Sequence, residues 1–415
     1  MNLPSAPSRF ETGSLLQVLL SLFGLLISLS GAAGLLLLVL FSASMPGLQA
    51  GQYAGQFISL AWILLFLGLL CIPSLAYSLL RLLHKTAALT VLPGFPIASA
   101  ALLLWPVLLL AGFFLAKMDG VGTYLLPLIT ILVTALPLWW LIELVRRGIP
   151  ISPQRSWGTL IFALFFSNPL TMLLEAFLLL GLAITAGLLI GANGYFLARL
   201  QNLYQQVLQA GGDPERIQQI LLPLLSNPWV ILAGVVLMSG LIPLLEELCK
   251  SLPVWSLLGR KLSPGEGLVI GAIAGAGFAL TESLTSLSNP SIQAQWLVLV
   301  IGRVGTGLLH ITASGLVGMG LAAAWRSGKF HYFGLALLSA VMLHGLWNFF
   351  SLSAGLATTV LQSPSAGQVI SFIALGGMAA LAVLSISFLL IANQRVRPAP
   401  QSSPGAPPPT ENLTP

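Results

Sequence analysis

Long uninterrupted apolar runs dominate the chain. Stretches such as Gly34–Phe41 and Leu102–Leu110 show no alternation of apolar and polar positions. They predict helices rather than the strands of a membrane barrel, which alternate apolar and polar residues. A helix that crosses a bilayer needs about 20 apolar residues. Ten segments meet this requirement, near 14–43, 56–80, 96–116, 122–145, 170–195, 229–258, 266–288, 296–325, 331–354 and 366–393. Asn168-Pro169 interrupts the stretch 158–198, and a residue before proline tends to leave the helix. The stretch is therefore read as an interfacial or re-entrant piece over 158–167 followed by a span over 170–195. In the loop 196–228, Leu200, Leu203, Tyr204, Val207 and Leu208 fall at helical spacing. Gly211-Gly212 stops that helix and Asp213-Pro214 can start a second. An amphipathic helical hairpin on the outer membrane surface is expected there. The Pro-, Ser- and Gly-rich tail after Arg397 is expected to be disordered.

Composition sharpens this picture. Of the 415 residues, 57% are hydrophobic and 7% charged, against about 25% charged in a soluble domain. So few charges cannot cover a water-facing surface. The fold class is all-α, a polytopic membrane protein with about ten transmembrane helices. The basic residues then orient it. With the N-terminus inside, twelve of the 17 (Arg9, Arg81, Lys85, Arg146, Arg147, Arg155, Arg260, Lys261, Arg326, Lys329, Arg395, Arg397) fall in cytoplasmic segments and three (Lys117, Arg199, Arg216) outside. Such a bias predicts both termini in the cytoplasm and a multi-pass protein of the plasma membrane. The net charge of +6 is accounted for by these loops, so the expected partner is the lipid bilayer and no nucleic acid. Ser14–Ala43 reads as a retained first span, not a cleaved signal. Cys71 and Cys249 lie in apolar segments and give neither a disulfide framework nor a cysteine-based zinc pattern.

Ionisable groups in hydrocarbon cost roughly 2.5–3.5 kcal/mol each on insertion scales, so their placement is informative. Spans one to five and ten hold Glu175 and, near a cytoplasmic end, Glu143. Spans six to nine hold Glu246, Glu247, Lys250, Glu282, Arg303, His310 and His344. Depth counts from the nearest cytoplasmic basic residue agree. Glu246 lies 14 residues before Arg260, His310 lies 16 before Arg326, and His344 lies 15 after Lys329. Glu282, 21 after Lys261, is expected about one turn further out. Glu246 and Lys250, Phe278 and Glu282, and His344 and Asn348 are i, i+4 pairs on shared helix faces. Pro243 and Pro253 should bend span six and free backbone groups beside the acids. Gly271, Gly275 and Gly277 allow a neighbouring helix to come close. Antiparallel helices can thus pool these side chains in one polar cavity. His84 and His331 read as interfacial, and Glu175 as facing an internal helix contact or a water defect.

Four ordered motifs carry a resemblance. Glu246-Glu247-Leu-Cys-Lys250, Phe278-Ala-Leu-Thr-Glu282, the lone His310 after Arg303, and His344-Gly-Leu-Trp-Asn348 resemble the PrsW-type intramembrane proteases. These belong to a wider group of CAAX- and bacteriocin-processing membrane proteases. The family often has Asn after the second acid, where this chain has Ser283. The resemblance implies hydrolysis of a peptide bond in a membrane-bound protein or peptide by a glutamate-activated water. It implies Glu246 or Glu247 as general base, Glu282 as a second essential acid, and His310, His344 and Asn348 as groups that orient water or stabilise the oxyanion. Lys250 and Arg303 would hold the carboxylates. By analogy the substrate is a regulatory, anti-sigma-type membrane protein. The implied organisation is a five-span region with the outer hairpin over 1–228, a catalytic bundle over 229–354, a last span over 355–394 and a tail over 395–415.

Two alternatives stand beside this reading. No cofactor is expected, but two Glu and two His also suit zinc, although HExxH is absent. Mid-membrane acids and histidines also build proton- or ion-coupled transporters. Transporter repeats, however, should place them in both halves of the chain.

Overall fold

The computed structural model describes residues 12–44, 54–85, 94–118, 120–191, 194–211, 213–289, 295–360 and 364–398. The expected N-terminal Arg9 and the tail from 399 onward lie outside them. The described residues form helices and short connections, with no strand among them. Ten helical runs are long and apolar enough to cross a membrane. This agrees with the all-α polytopic fold and the count of ten.

In chain order the helices are α1 (Thr12–Ser44), α2 (Ala54–Leu82), α3 (Phe95–Leu102), α4 (Trp105–Leu115), α5 (Val121–Arg146), α6 (Pro153–Phe162), α7 (Asn168–Gly191), α8 (Gly194–Gln209), α9 (Pro214–Leu225), α10 (Pro228–Val236), α11 (Ile242–Lys250), α12 (Leu252–Trp255), α13 (Pro264–Leu287), α14 (Trp296–Ser327), α15 (His331–Val360) and α16 (Pro364–Val396). Helices α8 and α9, joined at Gly211 with φ of 63°, form the expected hairpin. That torsion suits glycine, which carries no Cβ to clash.

Helix α13 is the axis of the bundle. A capping box of Ser263 and Glu266 starts it, with Pro264 in the first turn. It is buried almost all round because its contact faces are glycine and alanine. A Cβ added at Gly271 would lie 2.1 Å from the Ser314 carbonyl oxygen, and one at Gly275 2.3 Å from that of His310. Lipid tails give little hydrophobic drive for helices to associate, so close approach through small residues does much of the work. Gly277 faces α6 instead, with Ala163 and Leu160 against it. The principal core runs through Leu141, Ile161, Leu164, Leu268, Ala272, Ala276, Leu284 and Ile311.

One expectation fails. No break occurs at Asn168-Pro169, and 158–167 is not a piece separate from the span that follows. Helix α6 passes through a π turn at Ala163–Ser167 directly into α7, with Ile161, Ala163 and Leu164 buried. A proline ring clashes with the turn before it, and the wider π turn makes room. The exposed polar groups are then recaptured. Thr171 Oγ1 donates to the Ser167 carbonyl at 2.8 Å. The Asn168 amide donates to Gly277 O at 3.3 Å and Thr281 Oγ1 at 3.0 Å. A second π turn, Leu237–Leu241, precedes Pro243 in the same way and joins α10 to α11. The bend expected near Pro243 and Pro253 takes this form, with a second interruption at Ser251 between α11 and α12.

Candidate active site

The short helix α11 delivers three ionisable side chains to the interior. Glu246, Glu247 and Lys250 are all buried, with side-chain exposures of 10%, 0% and 0%. The Lys250 ammonium has three N–H donors and uses each. It donates to Glu246 Oε2 at 2.7 Å, Glu247 Oε1 at 2.9 Å and His310 Nδ1 at 2.8 Å. The Phe278 ring lies over it, with its centroid 4.0 Å away, and contributes a cation–π contact.

That arrangement fixes the His310 tautomer. An ammonium cannot accept a hydrogen bond, so Nδ1 presents its lone pair and Nε2 carries the proton. Nε2 donates to Glu282 Oε2 at 2.9 Å. Glu282 is itself held by Arg303 at 2.7 Å, and Arg303 Nε donates to Ser283 Oγ at 3.2 Å. Ser283 therefore has a role of its own where the family often carries Asn.

Helix α15 brings His344. Its Nδ1 donates to Glu247 Oε1 at 3.0 Å, which leaves Nε2 as an acceptor 3.9 Å from Glu246 Oε2. The rings of His310 and His344 meet edge-on at 4.9 Å. Ser314 Oγ donates to Glu247 Oε2 at 3.3 Å. Glu247 is thus held at both oxygens, by Lys250 and His344 at Oε1 and by Ser314 at Oε2, whereas Glu246 is the more open of the two acids.

Seven of the nine singled-out residues therefore meet directly in one network: Glu246, Glu247, Lys250, Glu282, Arg303, His310 and His344. Phe278 walls it. Asn348 stands apart: its amide donates to the Met238 carbonyl at 2.8 Å, inside the π turn that precedes α11. Gly345 on the same helix lies against that turn, where a Cβ would be 2.1 Å from Ser239 O. Glu282 also lies nearer the other groups than its depth count suggests. Helix α13 starts at Pro264, so Lys261 is not a helical anchor and the count overshoots by three residues.

Two neighbours of the network lie outside the four motifs. Ser314 sits four residues after His310 on one face of α14, a spacing that could have flagged it. Glu175, expected at an internal helix contact or a water defect, lies on α7, which packs on α11, and its Oε1 is buried without a partner.

The cluster also has the chemistry of a metal site. One ligand atom each from Glu246, Glu247, His310 and His344 lies within 4.8 Å of the others. Two carboxylates and two imidazoles are a donor set that zinc accepts. His310 is backed by a carboxylate through its second ring nitrogen, as metal-binding histidines usually are. Three of the donors already converge on a cation, the Lys250 ammonium. The residues present fit a divalent ion.

No curated protein and no solved structure matches the chain. A family match does exist. Residues 157–381, more than half of the chain and the whole network described above, match the family described as PrsW family intramembrane metalloprotease. The chain belongs to this family, and it is a multi-pass membrane peptidase.

Proposed function

We propose that Glu246 is the general base of an endopeptidase that cuts a membrane-bound protein or peptide, with His344 as its partner. The observation that carries this is the pair of acceptors facing each other, Glu246 Oε2 and His344 Nε2, 3.9 Å apart. One water molecule can donate both its protons across such a gap. Its oxygen lone pair is then directed away from both groups, toward an incoming carbonyl.

The chemistry proceeds as for any amide hydrolysis. The water oxygen bonds to the carbonyl carbon while Glu246 takes a water proton. The C–N bond breaks, and that proton passes to the leaving nitrogen. The products are a carboxylic acid and an amine, which exchange a proton to leave a carboxylate and an ammonium. Glu247 serves as the fixed anion that orients His344 through Nδ1 and holds Lys250 in place. Glu282 orients His310 in turn, and Arg303 orients Glu282. Asn348 acts on the backbone of the π turn, where its amide donates to Met238 O. A buried, low-dielectric setting strengthens each of these interactions.

Glu246, Glu247, His310 and His344 are the residues that would hold a divalent ion. Such an ion, when bound, acts as a Lewis acid on the scissile carbonyl. The catalytic unit is assigned to the bundle over 229–354 with α6 and α7 added, since α7 packs on α11 and α6 on α13. The first four spans, the outer hairpin, the last span and the tail lie outside the chemistry. We assign the protein to the plasma membrane with both termini cytoplasmic, on the distribution of Lys and Arg. A single-span, regulatory protein of the anti-sigma type fits as substrate.

Comparative membrane proteomics of wild type and a Glu246→Gln strain tests the proposal. An intact membrane protein should accumulate in the variant and its soluble fragment disappear. Full cleavage in Glu246→Gln at equal expression would end it.

A further inference from the structure

The Lys250 ammonium occupies an unusual place. Glu246 Oε2, Glu247 Oε1 and His310 Nδ1 point their lone pairs at one spot, and Nζ sits there at 2.7, 2.9 and 2.8 Å. Three of the four candidate metal donors are thus spent on a side chain of the same protein. A metal ion and this ammonium cannot share the position. Two carboxylates held together without any cation would also repel each other at short range in a low-dielectric interior.

A second observation shows where the ammonium can go. Glu175 lies on α7, which packs on α11 beside Glu246 and Lys250. Its Oε1 is buried and has no hydrogen-bond partner. A buried polar atom left without a partner is costly. This oxygen is an acceptor next to the cluster with nothing to accept.

We propose that Lys250 is a built-in placeholder cation that holds the four-donor cluster together in the metal-free protein. It yields that place to a divalent ion by turning to Glu175. The inference rests on the cluster being the site assigned above, but not on the reaction carried out there. It gives Glu175 a function outside the four motifs: a parking site for the displaced ammonium. It also gives the site a threshold, because an ion must compete with an internal ligand that is always present.

Zinc binding to the full-length protein in detergent tests this, with zinc titrated against a chromogenic chelator. Wild type should bind one zinc per chain. Lys250→Met removes the competitor and should bind zinc at least tenfold more tightly. Glu175→Gln removes the negative charge that would hold the parked ammonium and should bind severalfold more weakly than wild type. The Glu175 effect should vanish in the Lys250→Met background, since nothing is left to park. Equal zinc affinity in wild type and Lys250→Met overturns the proposal. Lys250→Met leaves two buried acids unpaired and can fail to fold. In that case Glu175→Gln decides, because its Oε1 makes no hydrogen bond whose loss would destabilise the protein. Unchanged zinc affinity in Glu175→Gln then overturns it. Cleavage measured on a Glu246→Gln preparation separates the two readings. Full cleavage there removes the assigned reaction, whereas unmoved zinc affinities remove only the placeholder.

Discussion

The crossing of α13 and α14 sets the distance between Glu282 and His310, and Gly271 is the perturbation that tests it. A Cβ at Gly271 would lie 2.1 Å from Ser314 O, 2.8 Å from Ser314 C and 3.1 Å from the Gly315 Cα. All three are backbone atoms, so no side chain can turn away. Normal contact for such atoms is roughly 3.5 Å, so Gly271→Ala must part the helices by about 1 Å. Overpacking of this kind costs about 1–3 kcal/mol. The parted helices would stretch the bonds that α14 makes through His310 to Glu282 on α13. A misplacement of about 1 Å in a catalytic constellation can cost about 100-fold in rate. Stability can be followed with a thiol-reactive fluorogenic dye during heating, because both free cysteines, Cys71 and Cys249, are buried until the bundle opens. Cleavage of a reconstituted substrate gives the rate. Gly334→Ala on α15, where a Cβ meets nothing within 4 Å, is the matched control. The expected result is a lower melting temperature and a rate loss on the order of 100-fold for Gly271→Ala, with neither for Gly334→Ala. Wild-type stability and rate in Gly271→Ala would refute the close crossing.

Other consequences follow from single contacts. Asn348→Ala frees the Met238 carbonyl in the π turn and should cost about 1 kcal/mol of stability; Asn348→Asp, which cannot donate from that position, should do no better, whereas rescue by Asp would point to a charge-based role. Glu282 acts through His310, so Glu282→Gln should lower the rate about 10- to 100-fold. The double variant with His310→Ala should then be no worse than His310→Ala alone; multiplicative losses would show two independent roles. The Arg155–Glu266 pair, 2.7 Å apart with both partners partly exposed, should contribute less than about 1 kcal/mol, and Arg155→Gln should leave cleavage unchanged.

The spans were legible because hydrocarbon admits few other sequences, and a run of about 20 apolar residues has one reading. The meeting of Glu246, Glu247, Glu282, His310 and His344 was legible for the same reason: scarce ionisable groups at matched depths have few partners to find. What stayed hidden depends on backbone geometry. Asn168-Pro169 reads as a break, yet a π turn carries the helix through it. The partner of Asn348 is a carbonyl in another π turn, which no residue pattern announces. Glu175 looked isolated because its distance to Glu246 is set by the packing of α7 on α11, not by sequence spacing. Ser314 was concealed by ordinariness, since serine is common in membrane helices.

The central claim is that the buried Glu and His cluster splits a peptide bond with water. Cleavage in proteoliposomes made with ¹⁸O-labelled water, followed by mass spectrometry of the fragments, measures that directly. The account predicts one ¹⁸O in the new C-terminal carboxylate of the wild-type product and no product from Glu246→Gln. Unlabelled product, or labelled product formed by Glu246→Gln at the wild-type rate, would contradict it.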